Sequence, residues 1–141
     1  MIPKFRAYFH RYKRMIYSIG VVNKNTILVD FNGDGKSEYM YLAHDISLMQ
    51  CSGLKDKNGN EIYDGDVCRW TDPEPFDGEI ISDVFIVRYS DEFLKWIGEN
   101  NNSFDDLYDF RDDRQLELIG NIYETPELLD EVEKWTSQIL V

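Results

Sequence analysis

Polar and apolar residues alternate from Lys4 to Tyr8, the period of two that a half-buried β-strand imposes. Further short runs rich in β-branched and aromatic residues follow at Met15–Ile19, Thr26–Phe31, Tyr39–Leu42, Leu48–Cys51, Val67–Trp70, Ser82–Tyr89 and Leu116–Tyr123. The third and fourth runs flank Asn32-Gly33-Asp34-Gly35 and predict a hairpin closed by a glycine-rich turn. Between Ser52 and Val67 two reversals are expected. Asn58-Gly59 suits the positive φ angles of a type I′ turn and Asp64-Gly65 a second tight turn, with Leu54, Ile62 and Val67 as apolar anchors. Asp72–Gly78 reads as a loop from its Pro, Asp and Gly content. Glu99–Asp113 predicts a long loop or a short, weakly supported helix, and Gly120 a bulge in the last strand.

The pattern changes period only at the end. Leu128, Val132, Trp135 and Ile139 recur at helical spacing, after Thr125 as N-cap, Pro126 in the first turn and Glu127 against the helix dipole. Many strands and then one helix, without βαβ alternation or internal repeats, predict a mainly β (β-rich α+β) fold. Its strands are antiparallel and its helix C-terminal. Residues 1–50 form an N-terminal hairpin region, 51–124 the central β region and 125–141 the helix, packed as one unit.

Composition supports this. The 141 residues are 43% hydrophobic, with nine Tyr, eight Phe and three Trp, enough for a core that favours sheets. No apolar run suits a signal peptide or a spanning helix, and two cysteines make no secreted disulfide framework. A reduced cytosolic chain without membrane partners is expected. The net charge of −12 is uneven: residues 1–15 carry five cations and no acid, while Glu99–Glu133 holds twelve acids against Arg111 and Arg114.

Three constellations are candidates for chemistry. Asp30, Asn32, Asp34 and Glu38 set oxygen ligands around Gly33 and Gly35, like the first half of an EF-hand loop. An EF-hand would need Glu where Tyr41 stands, so the expectation is a hairpin Ca²⁺ loop or a turn rich in Asp and Gly for backbone reasons. This stretch also resembles, over nine residues, the calcium-binding hairpin loop of FG-GAP-type propeller blades. Lys4, Arg6, Arg11, Lys13 and Arg14 interleave with Tyr8, Phe9, Tyr12 and Tyr17, the cation and ring mixture that binds single-stranded nucleic acid. A plain hairpin with rings inward and cations outward has the same wording. His10, His44, Cys51 and Cys68 lack zinc-ligand spacing, and no nucleophile motif surrounds either thiol. No catalytic residue is assigned.

The wording of Gly53–Asp66 resembles the central signature of the YopX family of bacteriophage and prophage proteins. Ile2–Ala7, Ile119–Glu124 and Pro126–Leu129 agree with the same family in order and placement. The chain departs from it with Tyr8 in place of a usual Trp, Cys51 in place of Tyr, and a longer acidic segment between Glu92 and Asp113. The resemblance implies an SH3-like barrel component within 51–124, a phage or prophage origin and a bacterial cytoplasmic setting. It implies no catalytic or binding residue. The expected function is therefore a non-enzymatic, self-associating interaction module that binds a host or phage protein. Alternatives are nucleic-acid chemistry, through the basic arm or by acidic DNA mimicry, and a Ca²⁺-binding hairpin.

Overall fold

The computed structural model describes residues 2–74, 78, 82–101, 103–111 and 114–139, with side chains of the C-terminal helix described as far as Glu133. The described chain is mostly strand, in two antiparallel sheets with one C-terminal helix, as the periodicity predicts. Neither strand order closes on itself. The chain divides into two compact units, Met1–Cys51 and Ser52–Val141.

The first unit contains β1 (Phe5–Phe9), β2 (Arg14–Asn23), β3 (Thr26–Val29), β4 (Glu38–Tyr41) and the start of β5 (Ile46–Lys55), in the order β4-β3-β2-β1-β5. Alternation in β1 turns Phe5, Ala7 and Phe9 into a core with Ile16, Ile19, Ile27 and Val29. Ser18 is the extra residue of a bulge, because Phe5 pairs with Ile19 while Arg6 pairs with Tyr17. Its φ of 62° is the left-handed conformation such a bulge requires. The β3–β4 hairpin forms in antiparallel register from Val29↔Glu38 to Thr26↔Tyr41.

In the second unit β5 continues and pairs with β6 (Glu61–Tyr63). A five-stranded sheet follows, β10-β9-β8-β7-β11, made of β7 (Asp66–Thr71), β8 (Ser82–Ser90), β9 (Lys95–Asn100), β10 (Ser103–Asp106) and β11 (Leu116–Asn121). The period of two gives it two apolar faces. Cys68, Phe85, Val87 and Leu116 join Ile62 and Leu107 on one face. Val67, Val84 and Ile86 join Val132 on the other, where α1 (Leu128–Ile139) lies. The register shift between Leu118 and Gly120 is the expected bulge.

Several local expectations are corrected. The described residues of Glu99–Asp113 are mostly strand rather than loop: they hold the end of β9, all of β10 and, as the one part that meets the short-helix reading, a 3-10 helix at Leu107–Phe110. β9 succeeds because Gly98 lets Phe85 lie against the backbone, a Cβ there falling 2.5 Å from the ring. The Asn58-Gly59 turn is not type I′, since only Gly59 (φ 82°) is left-handed. Asp56 N–H donates to Asn60 O and Gly59 N–H to Asp56 O, a three-residue loop ending on a left-handed glycine. Helix α1 begins at Leu128 rather than next to Thr125. The Thr125 hydroxyl is spent elsewhere, accepting from Asn121 N–H and donating to Asn121 O. Of the apolar stripe, Leu128 and Val132 pack on the sheet, and the side chains of Trp135 and Ile139 lie outside the described residues. The loop reading of Asp72–Gly78 is described at Asp72–Glu74, where Glu74 N–H donates to Asp72, and at Gly78; 75–77 are outside.

Candidate functional site

Strands lie about 4.8 Å apart, so five of them span roughly 20 Å between outer axes, whereas a helix with its side chains is about 10–12 Å across. One helix cannot cover such a face. Helix α1 packs over β8 and β9, and the face continues past it toward β10. There the second unit has a groove of about 580 Å³, bounded by Ile86, Ile97, Phe104, Leu129 and Val132, with Phe93 from the β8–β9 turn. Phe93 and Phe104 are 47% and 45% exposed, and their rings lie 4.8 Å apart.

The rim of the groove is acidic. Glu92, Glu99 and Glu133 line it, and among the described residues no Lys or Arg does. Arg88 reaches Glu99 at 3.5 Å but also serves Asp64 at 3.7 Å. Below the rim, Asn100 Nδ2 donates to Asp83 at 2.7 Å. Burial first, and then the Asp105 carboxylate, push the Asp83 carboxyl above its ordinary pKa, against the pull of the Asn100 and Val84 hydrogen bonds.

The residues singled out from sequence fall elsewhere. Asp30, Asn32, Asp34 and Glu38 all lie on the β3–β4 connection or its edge, as a hairpin loop requires. The Asp30 carboxylate accepts from Asp34 N–H (3.2 Å) and Gly35 N–H (2.9 Å), and Asp34 from Lys36 N–H (3.0 Å). Among the described residues no group of three or more His, Cys, Asp or Glu side chains is arranged to hold a metal. Lys4, Arg11, Lys13 and Arg14 are exposed, whereas Arg6 is 2% exposed, so the cations do not all point outward. Arg14 lies 4.5 Å over the Phe31 ring and Arg11 5.7 Å over Tyr12, which itself packs edge-on to Phe31. Phe31, unremarked in the sequence, thus joins the basic arm to the hairpin loop.

His10 hydrogen-bonds Ser47 at 2.8 Å, and His44 is exposed. Cys51 and Cys68 are both free and buried. Burial first, then the nearby Asp66 and Asp56 carboxylates, push the Cys68 thiol far above its ordinary pKa, which keeps it protonated and unreactive.

The shared wording of Gly53–Asp66 and Ile119–Glu124 has a structural explanation. Asp56, 7% exposed, accepts from Asn58 N–H, Asn60 N–H and, 62 residues away, Leu118 N–H. Asp66, 1% exposed, accepts from Tyr63 N–H at 2.7 Å. Gly65 N–H donates to Val87 O, and Gly65 O accepts from Ile122 N–H. Asn121 Oδ1 accepts from both Tyr123 and Glu124 N–H. These motifs tie β11 to the turns before β6 and β7.

Two antiparallel sheets with one helix laid on the second define a β-rich α+β protein whose connections are held by aspartate- and asparagine-capped turns. The family model described as YopX protein matches residues 4–130, and the chain belongs to that family. It is similar in structure to protein EF1440 from Enterococcus faecalis, with a TM-score of 0.63 and 27% identity over 92% of this chain and 99% of that one. It shares the fold of YopX from Bacillus subtilis, with a TM-score of 0.58 and 20% identity over 89% and 97% of the two chains. No curated protein matches it. No helix among the described residues is long and apolar enough to cross a membrane.

Phe93, Ile97 and Phe104 were not legible as a site because they lie on β9, β10 and the turn before them. The available signal was Trp96-Ile97-Gly98, two strand-forming residues followed by a glycine that marks close packing.

Proposed function

We propose that this chain is a phage or prophage accessory protein that works in the bacterial cytoplasm as a non-enzymatic protein-interaction module. Its partner on this reading is a host or phage protein. The observation that carries the reading is the half-exposed Phe93–Phe104 pair in a groove that α1 leaves open. Half-exposed aromatic rings at the rim of a groove are characteristic anchors of protein interfaces. A photo-crosslinking amino acid at position 104, in cells carrying the phage or prophage, should trap the same protein reproducibly. The same probe at exposed Lys24 should trap none. Identical products from both positions, or no product from position 104, would remove the basis for this function.

One observation favours a second, nucleic-acid reading: exposed Arg11, Tyr12 and Arg14 gather around the half-buried Phe31 ring in the first unit. Stacking beside phosphate-binding cations is how single strands are held without base readout. A gel-shift series across salt tests it, because binding through phosphates must weaken steeply as salt rises. The acidic second unit, acting as a DNA mimic, would shift no DNA at all.

A further inference from the structure

We infer that the groove beside α1 receives a basic, amphipathic protein segment: one aromatic or aliphatic side chain seated on Phe93 and Phe104, with Lys or Arg on both sides. The inference rests on the interaction-module reading and names the chemistry of its partner.

Shape gives the apolar half. Ile97 and Val132 form the buried floor, while Phe93 and Phe104 stand at the edge, so an inserted apolar group would be enclosed on several sides. The volume of about 580 Å³ lies in the range of ligand-sized clefts. Beside Phe93, Leu94 has a φ of 54° and is 75% exposed. A bulky side chain in the left-handed region costs backbone energy, and solvent exposure returns none of it. Two large apolar side chains are thus held outward at one turn.

Charge gives the basic half. Glu92, Glu99 and Glu133 stand around the groove on the β8–β9 turn, β9 and α1, so an occupant meets carboxylates from more than one direction. Among the described residues Glu92 and Glu133 have no cation within ion-pair distance, and the nearby Lys95 is committed to Asp106 at 3.3 Å. Residues 52–141 hold 23 Asp and Glu against eight Lys and Arg, so the long-range field has the same sign as the rim. Such a field attracts a basic segment and repels an acidic one before contact.

The test uses the full chain and a short synthetic peptide with one central Trp flanked on both sides by Lys and Arg. Controls replace the flanks by Glu, or the Trp by Ala. The basic Trp peptide should shift the backbone amide resonances of Phe93, Ile97, Phe104 and Val132 and bind at least about tenfold more tightly than either control. Glu133→Lys should weaken it about tenfold, and raising salt should weaken it further. Phe104→Ala should abolish binding with only a small fall in the thermal midpoint, since the ring is nearly half exposed. Leu94→Gly should weaken binding while raising the midpoint slightly by relieving the turn.

Equal binding of the Glu-flanked peptide overturns the basic partner and leaves docking intact. Loss of all peptide binding, with the position-104 cross-link retained, overturns this partner chemistry but not the module. Loss of both removes the module as well. Dimerisation abolished by Phe104→Ala would make the occupant a second copy and overturn the inference.

Discussion

Asp30 and Asp56 head two turns of nearly the same wording, Asp30-Phe31-Asn32-Gly33-Asp34-Gly35 in the first unit and Asp56-Lys57-Asn58-Gly59-Asn60 in the second. Both carboxylates accept backbone N–H groups from the residues that follow them. The Asp30 bonds stay within five residues and are exposed. Asp56 is buried, and its second oxygen takes the Leu118 N–H of β11 at 2.9 Å. Lys57 adds a backbone bond to Leu116 O and an ion pair to Glu117 at 2.7 Å. The same local chemistry therefore makes a solvated loop in one place and a long-range staple in the other. Asx and glycine wording specifies how a chain turns, and not what the turn holds.

The largest expected difference is between the aspartates. Asp56→Ala leaves three backbone N–H groups in part-buried positions without their acceptor, and should cost about 3 kcal/mol in urea unfolding. A cost under about 1 kcal/mol would mean that water replaces the carboxylate and that the two turns are equivalent.

Acid should separate them next. Burial alone would raise the Asp56 pKa, but hydrogen bonds from Leu118, Asn60 and Asn58 outweigh it and hold the carboxyl below its ordinary value of 3.8. A depressed carboxylate pKa contributes stability that is fully present above the ordinary value and is lost as pH falls through the folded-state value. Unfolding free energy should therefore decline more steeply below about pH 4 in the wild type than in Asp56→Ala. Parallel curves would contradict the staple. Asp83 acts with the opposite sign: its raised pKa makes folding less favourable as pH rises past its ordinary range.

Glycine substitutions should abolish the contrast. Gly35 (φ 81°) and Gly59 (φ 82°) are both left-handed, and a new Cβ at either meets nothing within 4 Å. Gly35→Ala and Gly59→Ala should each cost about 1 kcal/mol, equal to within a few tenths, because only backbone conformation is at stake. A much larger loss at Gly59 would show that the staple tolerates no backbone adjustment. The smallest effect should be Asp30→Ala, about 0.5 kcal/mol by thermal unfolding, since water can serve the exposed Asp34 and Gly35 N–H groups.

Much of the fold was legible. β1, β8 and the β3–β4 hairpin follow directly from alternation and turn residues, and the register break confirms the bulge at Gly120. β6, β9 and β10 were missed because they are only three to six residues long, and Gly98-Glu99-Asn100 in β9 and Asp105-Asp106 in β10 have little strand preference by themselves. Pairing with β5 forms β6, pairing with β8 forms β9, and pairing with β9 forms β10. The groove was missed with them, since Phe104 stands on β10 and Phe93 on the turn that leads into β9. Arg6 was grouped with four exposed cations by spacing, yet it is buried with its guanidinium 5.9 Å from the Tyr17 ring centre.

Sequence alone determined the class of fold, the places where the chain turns, the presence of the terminal helix and membership in the family, because periodicity, glycine geometry and shared wording are local properties. Only tertiary structure decided that Asp56 is a staple while Asp30 is a surface loop, that Arg6 is buried, and that Phe93 and Phe104 meet beside α1. Each of these depends on a neighbour far away in the chain. Burial and hydrogen-bond partnership belong to the pair of segments that meet, and no window along one segment contains both.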